Sequence, residues 1–350
     1  MLTEYKVSEI DNIRINGRTT ANRDPLTLFW TASGFEINIK ASELWVEIES
    51  DYNDFEPWFS VLIDGAHMIR QMAVKGKSRV CIFRGRNPET IKNIKFVKDT
   101  QAMPDDNVCL LQVCKLITDG EFCKLTTKPY KLEVIGDSIT SGEGLYGAKS
   151  EQDWVPQLFG ATNNYAFLTA EKINAELSVI SQSGWGAFTG WDGNMSRAIP
   201  PFYNQVCGVL NGERNVALGC KDEHDFTSWN ADAVVINLGT NDCGAFSLPG
   251  FGHKITEFEA AAVDFLANIR AKNPNAKIVW VYGMVGNDFA DVIQRAIKTY
   301  NDKSGDSVSY LELPNTTPET IGAREHPGVR ANEIVADILA DYLINTCGLG

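Results

Sequence analysis

The sequence predicts two domains of different class: an all-β sandwich, then an α/β domain built on a parallel sheet. Three observations carry this. The chain has 350 residues, more than a typical single domain. Up to about residue 125 its apolar residues recur with a period of two, the signature of half-buried strands. From Leu132 onward, short apolar runs alternate with stretches at helical spacing, the order of a parallel sheet covered on both faces.

In the first half, Phe35, Ile37 and Ile39 alternate with Glu36, Asn38 and Lys40, and Leu44, Val46 and Ile48 with Glu43, Glu47 and Glu49. Phe59, Val61 and Ile63 run into Asp64-Gly65, a dipeptide favoured in tight hairpins. Further apolar runs follow at 79–83, 91–97 and 108–114, giving a sandwich or barrel of short strands. Thr126, Thr127 and Pro129 then interrupt the pattern, so the boundary is drawn between domains 1–127 and 128–350.

The second half opens with the run 132–135, ending at Gly136. A helix is expected over 165–177, followed by a strand at 178–181, and the apolar run 231–238 is a buried strand. Thr256 and Glu259 have the spacing of a capping box, and Phe258, Ala262, Phe265 and Ile269 repeat at helical spacing until Asn273-Pro274-Asn275. Strands at 278–282 and 308–313 flank a helix at 289–300. A last helix carries Ala331, Ile334, Val335, Ile338, Tyr342 and Leu343 on one face.

Composition narrows the function. Lys and Arg number 32 against 45 Asp and Glu, a net charge of −13. A nucleic-acid binder needs a basic footprint, and so does a protein docked on an anionic membrane. No run of about 18 apolar residues is present, so no spanning helix is expected. The N-terminus shows no basic and apolar leader, which points to a cytoplasmic protein, or to a secreted one whose leader has been removed. Eight cysteines without a Cys-x-x-Cys pair read as reduced thiols, and Cys220 with His224 is at best half a zinc site. No cofactor or metal is called for.

Active groups of an open parallel sheet cluster past the carboxyl ends of its strands, and three polar segments occupy such places. Gly136-Asp137-Ser138 follows the first strand, and its serine is either a nucleophile at a helix start or a capping residue. Gly239-Thr240-Asn241-Asp242 ends the run 231–238. Its Asn either donates to a developing oxyanion or satisfies a loop. His326-Pro327 precedes the last helix, as a general base or as a plain loop residue. Together they make a complete acyl-transfer set. No Gly-x-Ser-x-Gly elbow and no P-loop is present.

At these blocks, with Gly184 of Ser181-Gln182-Ser183-Gly184-Trp185-Gly186 as a fourth, residues 131–345 resemble the SGNH, or GDSL-type, hydrolases. With a strand-rich N-terminal half in front, the chain is most similar to carbohydrate esterase family 2. The stretches 136–144, 232–242 and 269–278 carry that likeness. The resemblance implies a β-jelly-roll joined to a three-layer, flavodoxin-like SGNH domain that removes acetyl groups from xylan and related sugars without a metal. It implies Ser138 as nucleophile and His326 as base, with Ser138 N–H, Gly184 N–H and Asn241 as the oxyanion hole.

The family's Asp two or three residues before the His is replaced here by Arg324 or Ala323. The expected arrangement is therefore a Ser–His dyad whose imidazole is oriented by a backbone carbonyl, with Glu325 as the alternative. Trp154, Trp185 and Trp191 fall in loop-like segments, and Trp185, next to Gly184, is expected at the mouth of the site as a sugar-stacking surface or else in the core. The expected function is a serine esterase that deacetylates xylan or xylo- and manno-oligosaccharides. The alternatives are a lipase or thioesterase using the same site, and a non-catalytic carbohydrate-binding protein.

Overall fold

Strict alternation in the first half becomes antiparallel pairing in the computed structural model, which describes residues 1–350. The strands are β1 (Thr3–Lys6), β2 (Ile13–Asn16), β3 (Leu26–Thr27), β4 (Gly34–Lys40), β5 (Glu43–Asp51), β6 (Trp58–Ile63), β7 (Ala66–Met72), β8 (Gly76–Arg84), β9 (Ile91–Lys98), β10 (Leu110–Thr118) and β11 (Glu121–Cys123). One sheet runs β1-β10-β5-β8 with β3 beside β10, the other β11-β4-β9-β6-β7 with β2 beside β4. This is the predicted jelly-roll sandwich. The two inner faces are those read from the period: Phe35, Ile37 and Ile39 of β4, Leu44, Val46 and Ile48 of β5, and Phe59, Val61 and Ile63 of β6 are all buried in one core. Asp64 and Gly65, both at positive φ (52° and 80°), make the tight turn between β6 and β7.

By contacts the chain forms two units. The first is Met1–Thr127 with Val155–Gln157 and Asn204–His224, and the second is Lys128–Trp154, Leu158–Tyr203 and Asp225–Gly350. Within the first unit, the buried indole of Trp30 donates to Val206 O (2.7 Å) and Arg18 Nη1 to Gln205 O (3.0 Å), so residues of 204–224 satisfy polar groups of the sandwich.

The second half continues with β12 (Tyr130–Gly136), α1 (Ser138–Ser141), α2 (Tyr165–Lys172), β13 (Ala175–Ser181), the short α3 (Glu213–Ala217) that belongs to the first unit, β14 (Ala233–Asn237), α4 (Thr240–Phe246), α5 (Ile255–Lys272), β15 (Lys277–Gly283), α6 (Ala290–Ser304), β16 (Ser309–Leu313) and α7 (Val329–Asn345). The parallel sheet has the order β13-β12-β14-β15-β16. The first strand lies between the second and third, and the chain reverses its winding direction there. Such a switch point leaves a crevice at the carboxyl ends of the strands. Gly136 is in register with Ser181 on one side and Asn237 on the other, so three strand ends stand level beneath that crevice. Every residue of β14 is buried, as a central strand covered on both faces requires.

Three local expectations are corrected. The helix begun at Tyr165 ends at Lys172, not Leu177; Asn174 turns the chain through a left-handed conformation (φ 52°), one Asn tolerates, and Leu177 pairs with Leu132 inside the sheet. Thr256 does not cap α5. A 3-10 turn over Gly252–Lys254 leads straight into the helix at Ile255, and Glu259 instead pairs with Arg295 Nε at 2.8 Å. On α7 the buried face is Ala331, Asn332, Val335, Ala336, Leu339, Ala340 and Leu343, while Ile334, Ile338 and Tyr342 are half-buried. No helix is long and apolar enough to cross a membrane.

In the sandwich, the Phe96 ring stacks on Phe35 (centroids 5.6 Å apart) and on Phe59 (4.7 Å). Phe96→Ala is expected to cost about 3–5 kcal/mol of stability through the cavity it leaves. Urea unfolding followed in both proteins checks this, and a loss below about 1 kcal/mol would show that the sandwich collapses around the gap.

Candidate active site

The turn that carries Ser138 is built by capping. Asp137 sits at the N-cap of α1, and its Oδ1 accepts from Ile139 N at 3.0 Å. Ser138 is thereby the first helical residue, at the carboxyl end of β12. It is 7% exposed, and its Oγ lies 2.8 Å from His326 Nε2. On the other side of the ring, His326 Nδ1 lies 2.7 Å from the backbone oxygen of Arg324. A carbonyl can only accept, so Nδ1 carries the proton and Nε2 presents its lone pair to the serine hydroxyl.

The loop that carries His326 is tied at several points. Gly322 N donates to His326 O (2.7 Å), Ala323 N to Gly144 O (2.9 Å) and His326 N to Ala323 O (3.0 Å). Asn332 on α7 donates from Nδ2 to the carbonyls of Pro327 (3.1 Å) and Gly328 (3.0 Å). Gly144, at φ 72°, must be glycine: a Cβ there would lie 2.2 Å from Ala323 O and 2.9 Å from His326 Cβ.

Asn241, in the first turn of α4, is buried, and its Nδ2 donates to Trp185 O (2.8 Å) and, over a long 3.3 Å, to Asp137 Oδ2. The first bond holds the amide in place. The second leaves one N–H that an oxyanion would accept on better terms. The backbone N–H groups of Ser138 and Gly184 donate to no protein acceptor, the condition in which an anion finds them free. Gly184 is at φ 78°, a conformation that favours glycine. Its loop hangs on Asp242, whose carboxylate accepts from Ala187 N (2.8 Å), Phe188 N (2.8 Å) and Thr189 N (3.0 Å). Of the four residues singled out in the sequence, Ser138 and His326 are in direct contact, and Asn241 bonds the carbonyl of Trp185, the residue after Gly184.

Trp185 is different. It is 8% exposed and packs its ring against Phe202 with centroids 5.6 Å apart, so it is a core residue and not the exposed surface expected of it. The exposed indole is Trp191, at 59%; the backbone N–H of Trp191 donates to Gly184 O (3.1 Å), and its Cδ1 lies 3.1 Å from where a Cβ on Gly184 would stand. A loop aromatic beside a glycine block was visible in the sequence, but which of the two indoles turned outward depended on Phe202. Glu325 is exposed, and the oxygen at His326 Nδ1 belongs to Arg324. Two further groups gave no signal of their own: Glu143, inside the nucleophile block, and the Arg324 side chain bound to it (Nε–Oε1 2.7 Å).

A serine and an imidazole at hydrogen-bonding distance, with unpaired N–H donors at the switch point of a parallel sheet, define an α/β serine hydrolase. The model of the GDSL-like Lipase/Acylhydrolase family matches residues 134–311, and the chain belongs to that family. An acetyl xylan esterase (Est2A) from the rumen bacterium Butyrivibrio proteoclasticus is 40% identical in sequence; its structure superposes with a TM-score of 0.97 over 100% of this chain and 99% of that one. A family two carbohydrate esterase from Clostridium thermocellum, solved in complex with cellohexaose, is 25% identical with a TM-score of 0.83, covering 97% of this chain and 100% of that one. The cellulase/esterase CelE of Acetivibrio thermocellus is 29% identical over 329 residues, which is 91% of this chain but 37% of CelE.

Burial raises the Asp137 carboxyl to about 7, with Asp242 and Glu143 adding repulsion against the Ile139 N–H bond. Burial likewise raises Asp242 to about 6 against its three backbone N–H bonds. Both folded-state values lie above that of an unfolded Asp, so from about pH 4 to 7 these two groups hold more protons in the folded chain than in the unfolded one, and their contribution to stability falls as pH rises. Asp137→Asn, which cannot ionise, removes the Asp137 share of that loss and is expected to make the slope of melting temperature against pH more positive across that window than in the wild type. An unchanged slope would remove Asp137 from this account.

Proposed function

We propose that the chain is a serine esterase that removes acetyl groups from xylan or related plant-polysaccharide oligosaccharides, with Ser138 as nucleophile and His326 as base. The observation that carries it is the line Ser138 Oγ–His326 Nε2–Nδ1–Arg324 O, at 2.8 and 2.7 Å. Ser138 Oγ adds to the acetyl carbonyl carbon while Nε2 takes its proton. The oxyanion so formed would accept from the N–H groups of Ser138 and Gly184 and from Asn241 Nδ2. Collapse expels the sugar oxygen, which regains a proton from Nε2. Water then repeats the sequence on the acetyl-enzyme, with Nε2 again the base, and releases acetate. The relatives described as acetyl xylan esterase and carbohydrate esterase support the sugar, and a neutral sugar is compatible with the chain's −13 charge. Eight cysteines, none in a disulfide, fit a reducing compartment, where the substrate would be imported acetylated oligosaccharides.

Acetate release from acetylated xylan, mannan and xylo-oligosaccharides tests the reading. Ser138→Ala is expected to abolish it, and wild-type turnover in that variant would sink the proposal. Asn241→Ala is expected to lower kcat about 10²–10³-fold. A rate that holds or rises with longer acyl chains would favour a lipase or thioesterase over an acetyl-specific enzyme.

Trp191 supplies the apolar surface for a sugar ring in this reading. Trp191→Ala should raise KM for an acetylated oligosaccharide about 3–10-fold and leave 4-nitrophenyl acetate, which has no sugar, nearly unaffected. Equal losses on both substrates would place Trp191 in the catalytic loop's support instead.

A further inference from the structure

A carboxylate that orients a catalytic histidine holds its place by its own charge and hydrogen bonds. A peptide carbonyl points wherever its chain points. In this chain that peptide sits in an uncommon turn: Arg324 (φ 54°) and Glu325 (φ 59°) are consecutive non-glycine residues in the left-handed region. Such a turn persists only where its surroundings hold it.

The surroundings are specific. Arg324 N donates to Glu151 O (2.8 Å), Arg324 Nε to Glu143 Oε1 (2.7 Å) and Arg324 Nη1 to Gln152 O. Glu143 is 4% exposed, and its own N–H donates to Ser138 O at 3.0 Å, five residues back along the chain. One short segment therefore carries the nucleophile and the anchor of the residue that aims the base. Glu143 Oε1 is 4.0 Å from His326 Nε2, outside hydrogen-bond range, so its short contact is with Arg324.

We propose that the Glu143–Arg324 ion pair is the positioning element of this site: it holds the Arg324 carbonyl at His326 Nδ1, the task an acid beside the histidine performs in a triad. Glu143 and Arg324 are positioning residues that act through the imidazole. The inference rests on the esterase reading above.

The test uses Arg324→Gly, Arg324→Lys, Glu143→Ala, Glu143→Gln and the double variant Glu143→Ala/Arg324→Gly in the full chain, with Ser138→Ala as reference. Glycine suits the positive φ at 324, so Arg324→Gly removes the tether without straining the turn. For 4-nitrophenyl acetate, Arg324→Gly and Glu143→Ala are each expected to lower kcat about 10–100-fold with KM unchanged. Because the two act as one unit, the double variant should be no slower than either single. Arg324→Lys and Glu143→Gln, which keep one hydrogen bond between the positions, should recover part of the loss. The His326 Nδ1–H proton resonance, sharp and downfield when bonded to a carbonyl, should weaken or shift in Arg324→Gly.

Wild-type kcat and an unshifted resonance in both Arg324→Gly and Glu143→Ala would overturn the proposal. So would loss in Glu143→Ala alone, with Arg324→Gly fully active, because Glu143 would then act directly on the imidazole. Turnover retained in Ser138→Ala would overturn the esterase reading itself, a result separable from the others.

Discussion

One hydrogen bond, from His326 Nδ1 to the Arg324 carbonyl at 2.7 Å, governs everything the site can do. It decides which ring nitrogen keeps a proton and which faces Ser138. A neutral acceptor fixes the tautomer as well as a carboxylate does, but it brings no full negative charge to a developing imidazolium. In the esterase reading proposed above, the burden of stabilising the transition state would then shift to the proposed oxyanion donors. Those donors are firmly held: Asn241 Nδ2 donates to Trp185 O, and the Gly184 loop is slung from the Asp242 carboxylate by three backbone N–H bonds.

The sheet explains why these parts meet. Ser138, Gly184 and Asn241 lie two to four residues beyond three neighbouring strands whose ends are level at Gly136, Ser181 and Asn237. Adjacent strands stand about 4.8 Å apart, so a few residues of loop suffice to bring the three within reach of one carbonyl group. His326 comes from after the last strand, β16, and needs a long loop with many internal ties. The strain of the site is concentrated there, at Arg324 and Glu325.

Much of this was legible in the sequence, and for a stated reason. Period-two alternation at 35–48 and the fully apolar run at 231–238 report burial directly, and polar segments just past strand ends report a crevice. What the sequence did not disclose depends on packing between distant residues. Glu143 and Arg324 are 181 positions apart and have no shared pattern. Trp185 and Trp191 sit in one loop, and the first turns inward against the ring of Phe202, a packing partner the local sequence does not show. The end of α2 was misplaced because Ile173 and Leu177 continue a helical spacing that Asn174 breaks through its backbone alone.

The grouping of residues 204–224 with the sandwich has a consequence for anyone dissecting the chain. A cut at 127 would sever one crossing between the units and leave this excursion attached to the hydrolase half. The excised half would carry 21 orphaned residues, Cys207 and Cys220 among them, while the sandwich would lose Val206 as acceptor for the Trp30 indole. The two units are threaded through each other in sequence, and they are therefore to be expressed, mutated and unfolded as one polypeptide.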